Sequence, residues 1–198
     1  MPSISSAAPL TSTEFRARAA EDRFEFTAAV VPAQLGEKNT HGYDVMVGLL
    51  DGIDADRREH VSGRLRRNLM MWFTSVRADG QPECVPVWFM WRDDDTILIY
   101  SQPTAQKLRK IQVNSKVAMA LDVSDLGRDN IRMNGVAAVS EGELSAANNE
   151  AYLAKYLERI CALFESPERF SGIFSVALIV TPHRILSPSP GRGVAYAE

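Results

Sequence analysis

The chain has 198 residues, of which 45% are hydrophobic and 24% are charged, and its formal net charge is −3 at pH 7. This is the composition of an ordinary globular protein, and the lack of a basic excess argues against nucleic-acid binding. No run of roughly eighteen apolar residues predicts a membrane span, and residues 1–9 do not resemble a signal peptide. With only two cysteines, we expect a reduced, cytoplasmic protein.

Residues 1–53 are predicted to form an N-terminal extension, ahead of one domain over residues 54–198. The first 60 residues carry six basic and ten acidic side chains, and their opening is rich in Ser, Ala and Pro. Thr13 is placed to cap a short helix that ends at Arg23, and several glycines interrupt the stretch that follows. We expect the extension to be partly flexible and to act as a lid or as a partner-binding segment.

The domain begins with a predicted helix over 54–67, with Asp54 as its N-cap. Strands are predicted over 69–77 and 83–92, joined by a hairpin turn at Asp79-Gly80, and a third over 96–101. Helices over 104–113 and 145–163, the second capped by Ser145, alternate with strands over 116–123, 131–141 and 173–186. This order predicts an α+β, mainly β protein built on a small antiparallel six-stranded barrel with flanking helices.

Several catalytic motifs are missing from the sequence. It has no Walker loop, no Rossmann glycine fingerprint, no H-E-x-x-H, no C-x-x-C and no G-x-S-x-G. The three histidines, His41, His60 and His183, are isolated, so no metal site is predicted. We therefore expect the chemistry to come from a bound cofactor, unless the chain is a binding or structural protein.

The segment 97–111 reads as a strand, a polar turn and a helix. A helix N-terminus presents unpaired N–H groups and the positive end of the helix dipole. Ser101 and Thr104 add hydroxyl groups there, and Lys107 lies one turn into the helix. This arrangement suits a phosphate. In the alternative interpretation Ser101 only caps the helix, and the basic residues form a solvated face.

The strand 85–91 contains Pro86 together with Trp88 and Trp91. Because proline lacks the N–H donor, the strand should lie at a sheet edge or contain a break in its pairing. Unpaired backbone groups beside aromatic walls suit a flat heterocycle. The alternative is that both tryptophans belong to a core or to a dimer interface.

These features together resemble a known family. The segments 74–82, 85–89 and Tyr100-Ser101, followed by Lys107 and Asn114, are similar to the FMN-binding-like split β-barrel of the pyridoxamine 5′-phosphate oxidase-like proteins. The similarity is greatest to the branch of F-420-dependent oxidoreductases. It covers residues 61–186 and leaves out the first 55–60 residues. The resemblance implies a homodimer that binds FMN or the deazaflavin coenzyme F-420 in a cleft between the subunits.

The resemblance also implies a set of cofactor-binding residues. Ser101, Thr104 and Lys107 would hold the phosphate, and Gln106 stands where relatives often have a basic ligand. The ring would lie against Pro86, Val87 and Trp88, mainly through their backbone, and the strand with His183 and Arg184 would reach the partner's cofactor. The full set is Pro86, Val87, Trp88, Tyr100, Ser101, Thr104, Gln106, Lys107 and Arg184. Several relatives end this strand with a tryptophan, whereas this chain has Leu186-Ser187-Pro188.

The function implied is an oxidoreductase that transfers a hydride to or from a small organic substrate. No catalytic residue is assigned, because the cofactor carries this chemistry. F-420 is favoured over FMN by the basic group Lys107, Arg109, Lys110 and Lys116, which suits an acidic oligoglutamate tail, and by the excess of 17 arginines over 5 lysines. The alternative function is a non-catalytic flavin- or haem-binding carrier or sensor of the same fold.

Overall fold

The computed structural model describes residues 49–50, 55–121 and 130–187. The predicted helix from Thr13 to Arg23 lies outside the described residues, as does most of the predicted extension. The boundary at residue 53 therefore stays a prediction. Within this region the backbone N–H of Leu49 donates to Oδ2 of Asp95 at 3.1 Å, and the side chains of Leu49 and Leu50 pack against the larger hydrophobic core.

The described chain contains seven β-strands, four α-helices and one 3₁₀ turn. In chain order they are α1 Ala55–Arg67, β1 Met70–Val76, β2 Pro82–Trp88, β3 Met90–Trp91, β4 Ile97–Ser101, α2 Gln106–Val113, β5 Lys116–Leu121, β6 Arg132–Ser140, the 3₁₀ turn Ala146–Asn148, α3 Glu150–Phe164, α4 Pro167–Ile173 and β7 Val176–Leu186. No helix in this part of the chain combines the length and the hydrophobicity needed to cross a bilayer.

The strands form one antiparallel sheet in the order β2-β1-β5-β6-β7-β4-β3. The two end strands, β2 and β3, are separated along the chain by Phe89 alone. The sheet must therefore curl until its two ends meet at that residue, which makes an incompletely closed barrel. The predicted α+β split barrel is confirmed, but its six strands become seven because the predicted strand 83–92 is broken at Phe89.

Side chains of α3 cause this break. The N–H of Phe89 donates to Oη of Tyr156 at 2.9 Å, and that hydroxyl lies 2.7 Å from the carbonyl oxygens of both Phe89 and Leu69. The ammonium of Lys155 donates to the carbonyl of Phe89 at 2.8 Å, and burial lowers the pKa of Lys155 to about 8. The polar backbone groups of Phe89 are thus satisfied by a helix instead of a neighbouring strand.

Hydrophobic residues fill two cores on opposite faces of the sheet. Met71, Phe73, Ile97 and Ile99 belong to the core inside the barrel. The second core lies outside it, where α3 and α4 contribute Tyr152, Tyr156, Ile160 and Phe170, which pack with Leu98 and Tyr100. Strand β4 is covered on both faces, which explains why all five of its residues are buried.

Helix α3 begins later than predicted, and a second helix follows it. Asn149, and not Ser145, caps α3, with its Oδ1 accepting from the N–H of Tyr152 at 3.0 Å. Helix α4 was not predicted. Ser166 caps it by accepting from the N–H of Arg169 at 3.2 Å, and Pro167 occupies its first turn. The final strand consequently begins at Val176 instead of residue 173.

Candidate functional site

A cleft of about 280 Å³ lies between the β1–β2 pair and helix α2. We refer to it as the α2 cleft. It is lined by Ser75, Glu83, Val85, Pro86, Ala105, Gln106, Lys107 and Lys110. Three of the nine predicted cofactor residues, Pro86, Gln106 and Lys107, therefore lie together in one cleft.

Strand β2 forms one wall and lies at an end of the sheet, as the proline in it predicts. Pro86 pairs with Trp72 of β1, and Glu83 pairs with Ser75. The outer edge of β2 has no neighbouring strand among the described residues. Val85 and Pro86 line the cleft beside this open edge.

Helix α2 forms the opposite wall, and no side chain caps its N-terminus. The helix begins at Gln106, after Ala105 in an extended conformation. Ser101 does not cap it: Ser101 is the last residue of β4, is fully buried, and its Oγ has no hydrogen-bond partner in the described part of the chain. The uncapped first turn adds its positive dipole end to the cleft.

Lys107 carries the uncompensated charge of the cleft. Its side chain is half-buried, and burial lowers the pKa of its ammonium. Within the described ranges no carboxylate lies within ion-pair distance of it. A partly desolvated cation without a counter-ion is unfavourable, so the site is suited to an anionic ligand.

Lys110 differs from Lys107 because its charge is compensated. Its ammonium donates to Oε2 of Glu83, and only 11% of its side chain is exposed. Arg77 Nη1 lies 3.6 Å from the other carboxylate oxygen of Glu83. The hydrogen bond from Lys110, aided by the charges of Lys110 and Arg77, holds the pKa of Glu83 below its usual value.

The predicted basic group is thus divided. Lys110 is paired with Glu83, Arg109 is exposed on α2, and Lys116 is exposed at the start of β5, opposite Val136. The four basic residues do not form a single uncompensated patch. The pairing of Lys110 removes one of the four charges on which the preference for an acidic tail rests.

Val87 and Trp88 lie outside the α2 cleft. Val87 is buried in the barrel core. The ring of Trp88 stacks on Tyr156, with centroids 4.9 Å apart and planes 3° from parallel, and on Phe170 at 5.8 Å. Trp88 therefore belongs to the aromatic core beneath α3 and α4, as in the alternative interpretation.

The remaining predicted residues also lie elsewhere. Tyr100 Oη donates to the carbonyl of Leu144 at 2.6 Å, beside a separate depression of about 260 Å³. Thr104 is exposed in the turn before α2. Arg184 is exposed on β7 and pairs with Asn134 of β6. None of the three lines the α2 cleft.

Sequence reasoning missed four residues of the cleft: Ser75, Glu83, Val85 and Ala105. Two of them could have been found from the alternation of side chains between the two faces of β2. This alternation puts Glu83 and Val85 on the same face as buried Val87. Among the described residues, no group of three His, Cys, Asp or Glu side chains is placed to hold a metal ion.

The family model described as pyridoxamine 5′-phosphate oxidase matches residues 58–184. The chain belongs to this family. The pyridoxamine 5′-phosphate oxidase match begins within α1, ends within β7, and includes every residue that lines the α2 cleft. No curated protein matches the sequence significantly.

Solved structures of similar proteins extend the family comparison. A conserved hypothetical protein from Mycobacterium tuberculosis is 16% identical, with a TM-score of 0.52 over 68% of this chain and 84% of that chain. The haem storage protein HutZ from Vibrio cholerae is 15% identical, with a TM-score of 0.47 over 65% and 92%. An F-420 reductase is 22% identical, with a TM-score of 0.44 over 63% and 94%. At such low identities the similarity concerns the fold.

Proposed function

We propose that the chain is an oxidoreductase that uses a bound flavin-type cofactor, FMN or coenzyme F-420, to transfer a hydride to or from a small organic substrate. The observation that supports this most directly is Lys107, a half-buried ammonium in the α2 cleft without a counter-ion among the described residues. The two free cysteines, Cys84 and Cys161, support placing the protein in the reducing cytoplasm.

The charges of the cleft favour a phosphate ligand. A phosphate would give the Lys107 ammonium a charge-assisted hydrogen bond and would lie at the positive end of α2. Gln106 adds a neutral amide beside it, and Ser75 adds a hydroxyl. These residues fit the phosphate of a flavin-type cofactor better than they fit a neutral ligand.

The wall formed by β2 suits the ring of such a cofactor. Val85 and Pro86 offer an apolar surface, and the open edge of β2 offers backbone hydrogen-bonding groups. The bound ring would supply the hydride chemistry itself. The protein would hold the ring, fix its orientation and exclude water.

We also propose that two copies of the chain form a homodimer that completes the cleft. One chain encloses about 280 Å³, just below the range of about 300–1,000 Å³ typical of ligand pockets. Trp72 pairs with the cleft residue Pro86, and its side chain is 40% exposed, with Met70 exposed beside it. Large apolar side chains that are exposed next to a cleft enclosed only in part by one chain support a subunit interface at this surface.

A calorimetric titration tests the phosphate assignment. Wild type and Lys107→Ala are titrated with FMN, F-420, haem and riboflavin, of which riboflavin is the flavin that lacks the phosphate. We expect Lys107→Ala to weaken FMN binding by about 1–3 kcal/mol, the scale of a charged hydrogen bond, and to leave riboflavin binding unchanged. Lys116→Ala, at an exposed lysine outside the cleft, is the matched control.

The outcomes separate the alternatives. Unchanged FMN and F-420 binding by Lys107→Ala would remove Lys107 from the phosphate site. Selective binding of haem, or tight flavin binding without turnover of reduced cofactor in the presence of an electron acceptor, would favour a carrier or sensor. If the wild-type protein bound none of these ligands, the proposed function would be wrong.

A further inference from the structure

The α2 cleft contains two lysines in different electrostatic situations. Lys107 has no carboxylate partner among the described residues, whereas Lys110 is held by Glu83. In the part of the chain that the structure describes, Glu83 is the one carboxylate that lines this cleft. It therefore decides how many of the two positive charges are available to a ligand.

We propose that Glu83 sets the charge selectivity of the α2 cleft, by keeping Lys110 occupied and leaving Lys107 as the single ammonium available to an anion. This inference rests on the proposed function and makes it more specific. The preferred ligand is a flavin-type cofactor with one phosphate group and no further acidic groups near it. FMN satisfies this description, whereas F-420 carries an additional acidic tail.

The geometry explains why a ligand does not simply take Lys110 from Glu83. The side chain of Lys110 is only 11% exposed and that of Glu83 is 36% exposed, so water reaches the pair mainly from the side of the carboxylate. Arg77 Nη1 lies 3.6 Å from Glu83 and adds a second cation on the far side of the carboxylate. An anion that displaced Glu83 from Lys110 would have to bring its own charge close to that carboxylate, which is repulsive.

The cleft consequently acts on two classes of anion in opposite ways. Lys107 attracts the first phosphate, and the carboxylate of Glu83 repels a second acidic group that approaches Lys110. If Glu83 were neutral, Lys110 would become a second available cation and polyanionic ligands would gain most. The predicted effect is a change in the ratio of the affinity for F-420 to the affinity for FMN. A general loss of structure would not produce such a change.

Calorimetric titrations of Glu83→Gln with FMN, F-420 and riboflavin test this proposal. Glutamine keeps the shape of the side chain and an oxygen that can accept from Lys110. We expect F-420 binding to tighten roughly ten-fold, the effect of one additional charged contact, and FMN binding to tighten less. Riboflavin binding should not change, and the gain should shrink at high salt.

Two further variants control for indirect effects. Glu83→Gln combined with Lys110→Met should lose the gain for F-420, because the released cation is gone. Glu143→Gln removes a carboxylate that pairs with Arg92 outside the cleft, and it should leave the ratio unchanged.

An unchanged ratio of F-420 to FMN affinity in Glu83→Gln would overturn the inference while leaving the proposed function intact. A gain that persists in the double variant would also overturn it. Failure of the wild-type protein to bind either cofactor would instead overturn the proposed function, and this inference with it.

Discussion

Tyr152 and Tyr156 lie one turn apart on α3, and both are fully buried, but their hydroxyls are used differently. The hydroxyl of Tyr156 accepts from the N–H of Phe89 and lies within hydrogen-bonding distance of two carbonyls. The hydroxyl of Tyr152 has no partner within the described residues. Burial raises the pKa of both phenols, so both hydroxyls stay protonated at neutral pH.

This contrast predicts that replacing each tyrosine by phenylalanine will affect stability differently. Tyr156→Phe should lower the free energy of unfolding by about 1–3 kcal/mol, because the buried N–H of Phe89 loses its acceptor. Tyr152→Phe should be neutral or slightly stabilising, because it removes a buried hydroxyl that makes no hydrogen bond. Urea denaturation of the two variants and the wild type measures both effects. Equal losses of stability in the two variants would contradict the role given to Tyr156.

Single residues also show where the sequence was informative. The turn at Asp79-Gly80 was predictable because its cause is local: Gly80 has a φ of +88°, and its N–H donates to the carbonyl of Arg77 at 2.9 Å. The break at Phe89 was not predictable. It depends on Tyr156, 67 positions further along the chain, and no pattern within the strand indicates that contact.

At the scale of elements, the β6–β7 pair is the most extensive in the sheet and contains an irregularity. The register shifts between Asn134, which pairs with Arg184, and Gly135, which pairs with Pro182. A Cβ atom on Gly135 would stand 2.7 Å from the carbonyl oxygen of Thr181 and 3.0 Å from Cα of Pro182. The bulge therefore depends on a close backbone approach that only glycine permits.

Gly135→Ala should consequently destabilise the protein by about 1–3 kcal/mol, the usual cost of overpacking. The atoms in the way belong to the backbone of β7 and cannot rotate aside. Gly172→Ala in α4 is the matched control, because a Cβ there would meet nothing within 4 Å and alanine favours a helix. Thermal unfolding of both variants tests this, and a stable Gly135→Ala variant would show that the bulge can be rebuilt.

The elements themselves were mostly predictable because their signals are periodic. The strands that became β1, β4, β5 and β6 were predicted within about two residues of their described ends. Helix α4 is not predicted although Ser166-Pro167 is a local start signal. Its seven residues lie between the helix predicted over 145–163 and the strand predicted over 173–186, and they are too few to show a clear helical period.

At the scale of the whole molecule, the cleft was predicted only in part. Gln106 and Lys107 follow from the strand–turn–helix pattern, and Pro86 follows from the expectation of an edge strand. Trp88 lies elsewhere because its position is decided by stacking on Tyr156 and Phe170. The ion pair between Glu83 and Lys110 joins β2 to α2 across 27 positions of the chain. No local sequence pattern predicts it.

The proposed homodimer makes a prediction that concerns the assembly and the cleft together. Trp72 is 40% exposed and lies between Pro86 of β2 and Ala120 of β5 in the sheet. A buried aromatic at the centre of an interface typically contributes about 2 kcal/mol or more. Trp72→Arg should therefore weaken dimerisation roughly 30-fold or more, and it should weaken FMN binding because Pro86 belongs to the α2 cleft.

Sedimentation analysis over a range of protein concentrations, with and without FMN, measures both effects. Leu144→Arg is the control, because Leu144 is 60% exposed and lines the separate depression beside Tyr100 instead of the α2 cleft. It should leave both the association and the affinity unchanged. A Trp72→Arg variant that dimerises as the wild type does would exclude this surface as the interface. Loss of the dimer with full FMN affinity would show that each chain binds its cofactor without the partner.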